Sequence, residues 1–346
     1  MNERRRDGTP RPALLRIWSA RVVRGVNAPT PHLVRGTSSD YTEDETRRQV
    51  IGSARRTRVE QGVWAVARRT TLIDVGRKVA AGERLVMVTA YDYPSARIAE
   101  EAGVDIILVG DSLGMAVYGE ADTLGVTLDD MVRHAGVVVR ATARALIVAD
   151  LPFLSYQVSA EQGLISAGRL MREARVQAVK LEGGARSAPT VERLVQAGIP
   201  VMGHLGFTPQ SVYQFGGFRV QGRGAEAARA LKADALALQA AGVFAIVLEM
   251  VPGPLAAELT QALQVPTIGI GAGSATAGQV LVFHDLVGLT LGRQPRFARR
   301  FGNAAEIMRH AVEAYADAVR TGQFPGPEHT FDLEGPGAPP TSHVED

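Results

Sequence analysis

The chain of 346 residues contains no cysteine. Disulfide frameworks, thiolate zinc sites, iron–sulfur clusters and cysteine nucleophiles are therefore excluded. Aromatic residues make up only 5%, too few for a surface that stacks nucleic-acid bases. No stretch reaches the about 18 unbroken apolar residues of a membrane-crossing helix. Neither a nucleic acid nor a membrane is thus expected as a partner, and the resulting expectation is a cytoplasmic protein. Lysine is nearly absent, at 3 residues against 35 arginines. That bias points to a GC-rich genome more than to selected phosphate contacts. What the chain does have is apolar material: 46% hydrophobic and 21% charged residues, enough for a large core.

Charge is unevenly spread. Residues 1–70 hold 15 arginines and 7 acidic residues, a net +8, so the rest of a chain totalling +2 carries −6. Both tryptophans, Trp18 and Trp64, lie in this segment. It has no sustained apolar period, and its arginines are scattered among Pro, Gly, Ser and Thr. Asp40, Glu43, Asp44 and Glu45 count against an organelle transit peptide, which is poor in acids. The composition predicts a disordered extension or a start codon assigned too early. A second loose end, rich in Pro and Gly, is expected over 333–346.

From residue 71 short apolar runs alternate with helical patterns. The runs are 85–90, 106–110, 145–149, 178–181, 200–203, 244–248, 267–271 and 286–289. Most are continuous instead of alternating, as in strands buried on both faces of a parallel sheet. Amphipathic stretches such as 93–102, 160–174 and 225–241 lie between them. Gly103, Gly198 and Gly242 follow helix ends, where a left-handed residue is needed. Eight such units over 71–332 predict an α/β fold, a (β/α)8 TIM barrel. An open doubly wound sheet is the alternative, but no GxGxxG follows the first run.

Polar residues collect where the runs stop: Tyr91 and Asp92, Asp111 and Ser112, Asp150, Lys180 and Glu182, His204, and Glu249. In a barrel all of them lie at the carboxyl-end face, where barrel active sites form. One carboxylate there is readily a helix cap. Four strand ends bearing carboxylates, beside a lysine and a histidine, are harder to explain that way. Converging carboxylates repel unless a cation sits among them, and oxygen ligands without sulfur suit a hard ion such as Mg2+.

The same residues lie within an ordered series of motifs. Thr89-Ala-Tyr-Asp92 precedes Val109-Gly-Asp-Ser-Leu-Gly-Met115, Ala149-Asp-Leu-Pro-Phe153 and Lys180-Leu-Glu-Gly-Gly184. Gly203-His-Leu-Gly-Phe-Thr-Pro-Gln210, Phe215-Gly-Gly-Phe-Arg-Val-Gln-Gly-Arg223, Leu248-Glu-Met-Val-Pro252 and Ile268-Gly-Ile-Gly-Ala-Gly273 follow. In order and spacing the series resembles the ketopantoate hydroxymethyltransferase family from about residue 71 to 331. The resemblance implies a barrel of the phosphoenolpyruvate/pyruvate type. It also implies transfer of a one-carbon unit from 5,10-methylenetetrahydrofolate to 2-oxoisovalerate (3-methyl-2-oxobutanoate), and a homodecamer. Carbon–carbon lyases and phosphoenolpyruvate mutases on related barrels are the runner-up, but such lyases typically carry a catalytic cysteine. A non-catalytic barrel binding RNA through the arginine-rich segment is a third reading.

By the resemblance, Asp111 and Asp150 bind Mg2+ and the substrate oxygens, and Glu182 lies at the metal through water. Glu249 is the implied base at C3, with a helix cap or ion-pair partner as the plain alternative. Burial at the strand end 247–251 is the means the sequence offers for tuning it. Ser112 and Lys180 are implied to hold the substrate carboxylate and enolate, although Lys180 could instead only pair with Glu182. His204 reads equally as a substrate contact and as a structural histidine. The glycine-rich stretch 269–273 reads as a tight turn in preference to a phosphate cradle. The segment 216–224 reads as a lid or as a subunit contact.

Overall fold

The computed structural model describes residues 68–292 and 294–331. The expectations for the extension up to residue 67 and for the tail from 332 lie outside the described residues. Contacts with the barrel begin at Arg69, whose guanidinium donates to the carbonyls of Thr142 and Ala145.

Eight parallel strands pair in chain order, and the eighth closes on the first. They are β1 (Leu85–Thr89), β2 (Ile106–Val109), β3 (Leu146–Asp150), β4 (Ala178–Glu182), β5 (Val201–Gly206), β6 (Ala245–Glu249), β7 (Thr267–Ile270) and β8 (Gly278–Leu281). The barrel expected from the sequence is therefore the fold, and the open sheet is excluded. Helix α1 (Leu72–Ala80) precedes β1 and opens on a capping box between Thr71 and Asp74. Its Val75 is buried in the same cluster as Leu85, Ile106 and Ala178 of the barrel interior.

The outer layer runs α2 (Tyr93–Glu101), α3 (Leu113–Ala116), α4 (Leu128–Ala141), α5 (Ala160–Arg169) and α6 (Ala188–Gln196). Next come α7 (Val212–Phe215), α8 (Ala225–Ala241), α9 (Gly253–Ala262), α10 (Phe283–Val287) and α11 (Ala304–Arg320). Asp92 accepts from the Ser95 amide at 2.8 Å and caps α2, so its role is structural. Helix α5 continues as a π turn, Leu170–Ala174, which ends on Arg175 in the left-handed region.

One strand differs from expectation. The apolar run 286–289 is the end of α10 and its glycine cap, and β8 lies earlier at Gly278–Leu281. That strand escaped notice because Gln279 on its outer face is exposed and Gly278 carries no side chain. The turn at 269–273 is tight, as expected: Gly271 has φ +62° with the Phe297 ring against it.

Candidate active site at the barrel mouth

The interior of the barrel follows the period of two along each strand. Leu146 and Val148 face inward on β3, Ala178 on β4, Met202 on β5 and Ala245 and Val247 on β6, and all belong to one buried cluster. Continuing each series by two residues reaches Asp150, Lys180 with Glu182, His204 and Glu249. The inward-facing layers are thus apolar below and charged at the carboxyl end. Alternation alone places those side chains in one chamber. Register agrees, with Asp150 beside Lys180 and Glu182 beside His204.

Asp111 follows β2 and turns back onto β3, where its amide donates to Asp150 Oδ2 at 3.1 Å. Lys180 Nζ lies 2.8 Å from Asp150 Oδ1, although Oδ1 has no partner in hydrogen-bonding alignment. Nζ also lies 3.3 Å from His204 Nδ1. Glu182 Oε1 is 3.3 Å from that same nitrogen, and His204 Nε2 is 3.3 Å from Glu249 Oε2, out of hydrogen-bonding alignment. A charged lysine can only donate, so Nδ1 is the acceptor and the proton of the neutral ring sits on Nε2, facing Glu249.

The electrostatics follow from burial and from an excess of acid. Desolvation pushes the Asp111 carboxyl well above the carboxylate range, and the charges of Asp150 and Glu182 push it further. Burial likewise raises Glu182, to about 8, against the opposing pull of Lys180. Burial alone would lower Lys180, but Asp150, Glu182 and Asp111 outweigh it and hold the ammonium charged. Burial and the neighbouring Lys180 lower His204, keeping the imidazole neutral.

Asp111, Asp150, Lys180, Glu182, His204 and Glu249 meet here, whereas Asp92 caps α2 and Ser112 lies apart. Its hydroxyl sits at the edge, 2.8 Å from the buried Tyr91 hydroxyl. Lys180 lies close to Asp150 instead of pairing only with Glu182, and Glu249 is no helix cap. Two residues that strand-end reading gave no role also build the site. Gln210 donates from Nε2 to Asp111 Oδ2 at 2.8 Å and from its backbone to Glu182 Oε2 at 3.0 Å. Its amide orientation is set by the Tyr156 hydroxyl, 2.8 Å from Oε1. The Tyr156 hydroxyl also accepts from the Glu182 amide at 3.0 Å. A neutral amide and a loop tyrosine carry no spacing signal. Only the position of Gln210 shortly after β5 hinted at it.

Glu249 is held by unusual backbone on two sides. Met250 sits at φ +48°, a conformation that costs a non-glycine residue of order 1 kcal/mol or more. Gly206, paired with Glu249 in register, has φ +92°, and a Cβ there would lie 2.2 Å from the Glu249 carbonyl oxygen. Gly206→Ala is therefore expected to displace Glu249, lowering the melting temperature and cutting kcat at least about tenfold. Unchanged melting and unchanged kcat would contradict this geometry. Lys180→Met is expected to lower stability at neutral pH by about 3 kcal/mol, because Asp150 is left buried without its cation. Urea unfolding checks it.

Can these residues hold a divalent ion? Among the described residues no group of three or more His, Asp or Glu side chains stands close enough to enclose one. Glu182 is engaged by Gln210 and His204, so the three carboxylates expected at the metal do not form a closed cage. Asp111 and Asp150 do fit a cation: both are buried, they repel each other, and Asp150 Oδ1 lacks an aligned donor. Mg2+ is commonly bound by one or two carboxylates, with water or substrate oxygens completing its shell.

The fold and site define a (β/α)8 barrel with an acidic chamber at its carboxyl-end mouth, suited to a cation and to proton removal. A family model described as Ketopantoate hydroxymethyltransferase matches residues 69–327, and the chain belongs to that family. It is 58% identical over 266 residues to the 3-methyl-2-oxobutanoate hydroxymethyltransferase of Chloroflexus aurantiacus, covering 77% of this chain and 94% of that protein. It is 56% identical over 263 residues to the Moorella thermoacetica protein of the same name, covering 76% and 98%. Among solved structures, 2,3-dimethylmalate lyase, a PEP mutase/isocitrate lyase superfamily member, overlays with a TM-score of 0.49 and 18% identity. That overlay covers 78% of this chain and 92% of the lyase.

Proposed function

We propose that the chain is a 3-methyl-2-oxobutanoate hydroxymethyltransferase that uses 5,10-methylenetetrahydrofolate as one-carbon donor and Mg2+ as cofactor. One observation carries the chemistry: a single chamber holds Glu249, positioned to take a proton, beside a buried acidic pair fit for a cation. C3 of 2-oxoisovalerate loses its proton to Glu249. The methylene carbon of the donor leaves its two nitrogens and bonds C3, and water supplies the hydroxyl that stays on that carbon. The two protons, one from C3 and one from water, end on the folate nitrogens. The product is 2-dehydropantoate.

Asp111 and Asp150 would hold Mg2+, and Glu182 would lie beside it. When bound, the ion supplies positive charge against the keto oxygen, where charge develops as the proton leaves. Lys180 holds the substrate carboxylate as a point charge. His204 turns Nε2 toward Glu249, 3.3 Å from Oε2, and lies against that carboxylate in the chamber. Ser112 and Tyr91 close the edge.

The reading extends to a catalytic unit over 71–332, to a cytoplasmic place and to an assembly of identical subunits, ten by the family resemblance. Assembly is supported by α11, which buries no residue against the described chain. Met308, Val312, Tyr315 and Val319 form an exposed apolar stripe along it. Val86 on β1 is also half exposed, where a barrel helix ordinarily covers the strand.

The test is deuterium exchange at C3 of 2-oxoisovalerate in D2O, followed by NMR without folate. Exchange that needs Mg2+ and stops with EDTA is expected. If exchange is absent both without folate and with a folate analogue present, the assignment fails.

A further inference from the structure

Asp111, Asp150 and Glu182 each have one carboxylate oxygen tied to a neutral N–H group. Asp150 Oδ2 accepts from the Asp111 amide at 3.1 Å, and Glu182 Oε2 accepts from the Gln210 amide at 3.0 Å. Asp111 Oδ2 accepts from Gln210 Nε2 at 2.8 Å, the one hydrogen bond to that carboxylate among the described residues. The second oxygen of Asp111 is thus left over, and Asp150 Oδ1 likewise has no aligned donor. A divalent ion bound by one oxygen from each of two carboxylates needs this division. A neutral donor ties the first oxygen without competing for the charge, as a further lysine or an arginine would.

Gln210 is buried, and its amide has no freedom in this arrangement. Besides Asp111, its Nε2 donates to the Leu151 carbonyl at 2.9 Å, a group that can only accept. Its Oε1 accepts from the Tyr156 hydroxyl at 2.8 Å and from Gln157 Nε2 at 2.9 Å. Both donor and both acceptor positions of the amide are therefore used. Flipping it would set oxygen against oxygen on one side and leave buried donors unpaired on the other. The Tyr156 hydroxyl is anchored in turn by the Glu182 amide, 3.0 Å away. Groups that hydrogen-bond to metal ligands fix ligand orientation, and losing one typically costs about 10–100-fold in metal affinity.

We infer that Gln210, with Tyr156 behind it, is a positioning residue for the divalent ion: it pins Asp111 Oδ2 so that Oδ1 stays available to the cation. The inference rests on the functional reading above, which supplies the ion. It gives a reason for a neutral, fully bonded side chain among buried carboxylates, and it assigns the loop after β5 a part in metal binding without a ligand of its own.

The experiment measures Mg2+ binding to the full chain by calorimetry at one fixed pH, without oxoacid or folate, well below the melting temperature of each variant. Gln210→Met keeps the length of the side chain and removes both ends of the amide. It is expected to weaken Mg2+ by about 10–100-fold. Tyr156→Phe keeps the ring and alters no atom that touches Asp111, and it is expected to weaken Mg2+ by a smaller factor in the same direction. Ser166→Ala removes a buried hydrogen bond to the Ser155 carbonyl, 2.7 Å long, that lies off this path. It is expected to lower the melting temperature and to leave Mg2+ affinity unchanged, so loss of stability and loss of position are read separately. Unchanged affinity in Tyr156→Phe and in folded Gln210→Met would overturn the inference while leaving the functional reading intact. Equal weakening by Ser166→Ala would overturn it too, because the effect would then report general loosening. If Gln210→Met does not fold, Tyr156→Phe against Ser166→Ala decides alone. Absence of Mg2+ binding by the unaltered chain would overturn the functional reading, and the inference with it.

Discussion

Glu249→Gln is expected to lower kcat by about 10²–10⁴-fold, the usual contribution of a positioned base, while KM for 2-oxoisovalerate changes little. The substitution keeps the shape of the side chain and an oxygen able to face His204 Nε2, now 3.3 Å from the carboxylate. It removes the ability to accept the C3 proton. Exchange of that proton into D2O should fall in proportion to kcat, since both report the same step. Glu249 is also the most open of the four carboxylates at the mouth, with its side chain 15% exposed against 3% for Glu182, so a substrate can reach it. A variant that still exchanges C3 at the normal rate would show that another group takes the proton.

Removing divalent ions is expected to abolish turnover, and adding Mg2+ to restore it. The pH dependence has a definite sign. Asp111 is pushed upward and Glu182 is raised to about 8, so the metal-free chamber favours the protonated form of its acidic groups. A cation must displace those protons. Binding should therefore release protons, and affinity should rise as pH climbs toward about 8. Stability of the metal-free protein runs the other way. A carboxyl raised in the folded state stabilises folding fully below its unfolded value, and that contribution is lost as pH rises through the folded value. Metal-free melting temperatures should thus fall over roughly pH 5–8, with the stabilisation by Mg2+ largest at the alkaline end. Calorimetry in two buffers of different ionisation enthalpy counts the released protons. Binding without proton release, or metal-free stability that rises with pH, would contradict this account of the chamber.

Much of this architecture was readable in the residues. Continuous apolar runs marked seven strands, and polar residues at the ends of six of them marked the mouth. The reading missed β8 because a short strand with a glycine and an exposed glutamine has no apolar signature. It treated the barrel strands as uniformly buried, so it set Asp150, Lys180, His204 and Glu249 at the mouth without the inward alternation that brings them into one chamber. Gln210 and Tyr156 act through neutral hydrogen bonds whose partners are distant in sequence: Gln210 and Asp111 are 99 residues apart. Only folding brings such pairs together, and no local pattern encodes them.

The central claim is that this mouth removes the C3 proton and puts a hydroxymethyl group in its place. The most direct measurement incubates the protein with 2-oxoisovalerate, Mg2+ and 5,10-methylenetetrahydrofolate labelled with 13C at the methylene carbon, and follows the label by NMR. The account predicts a labelled hydroxymethyl group on the quaternary C3 of 2-dehydropantoate, formed in step with tetrahydrofolate. Label remaining on folate while the folded, Mg2+-loaded protein turns over a phosphoenolpyruvate-type substrate would contradict it.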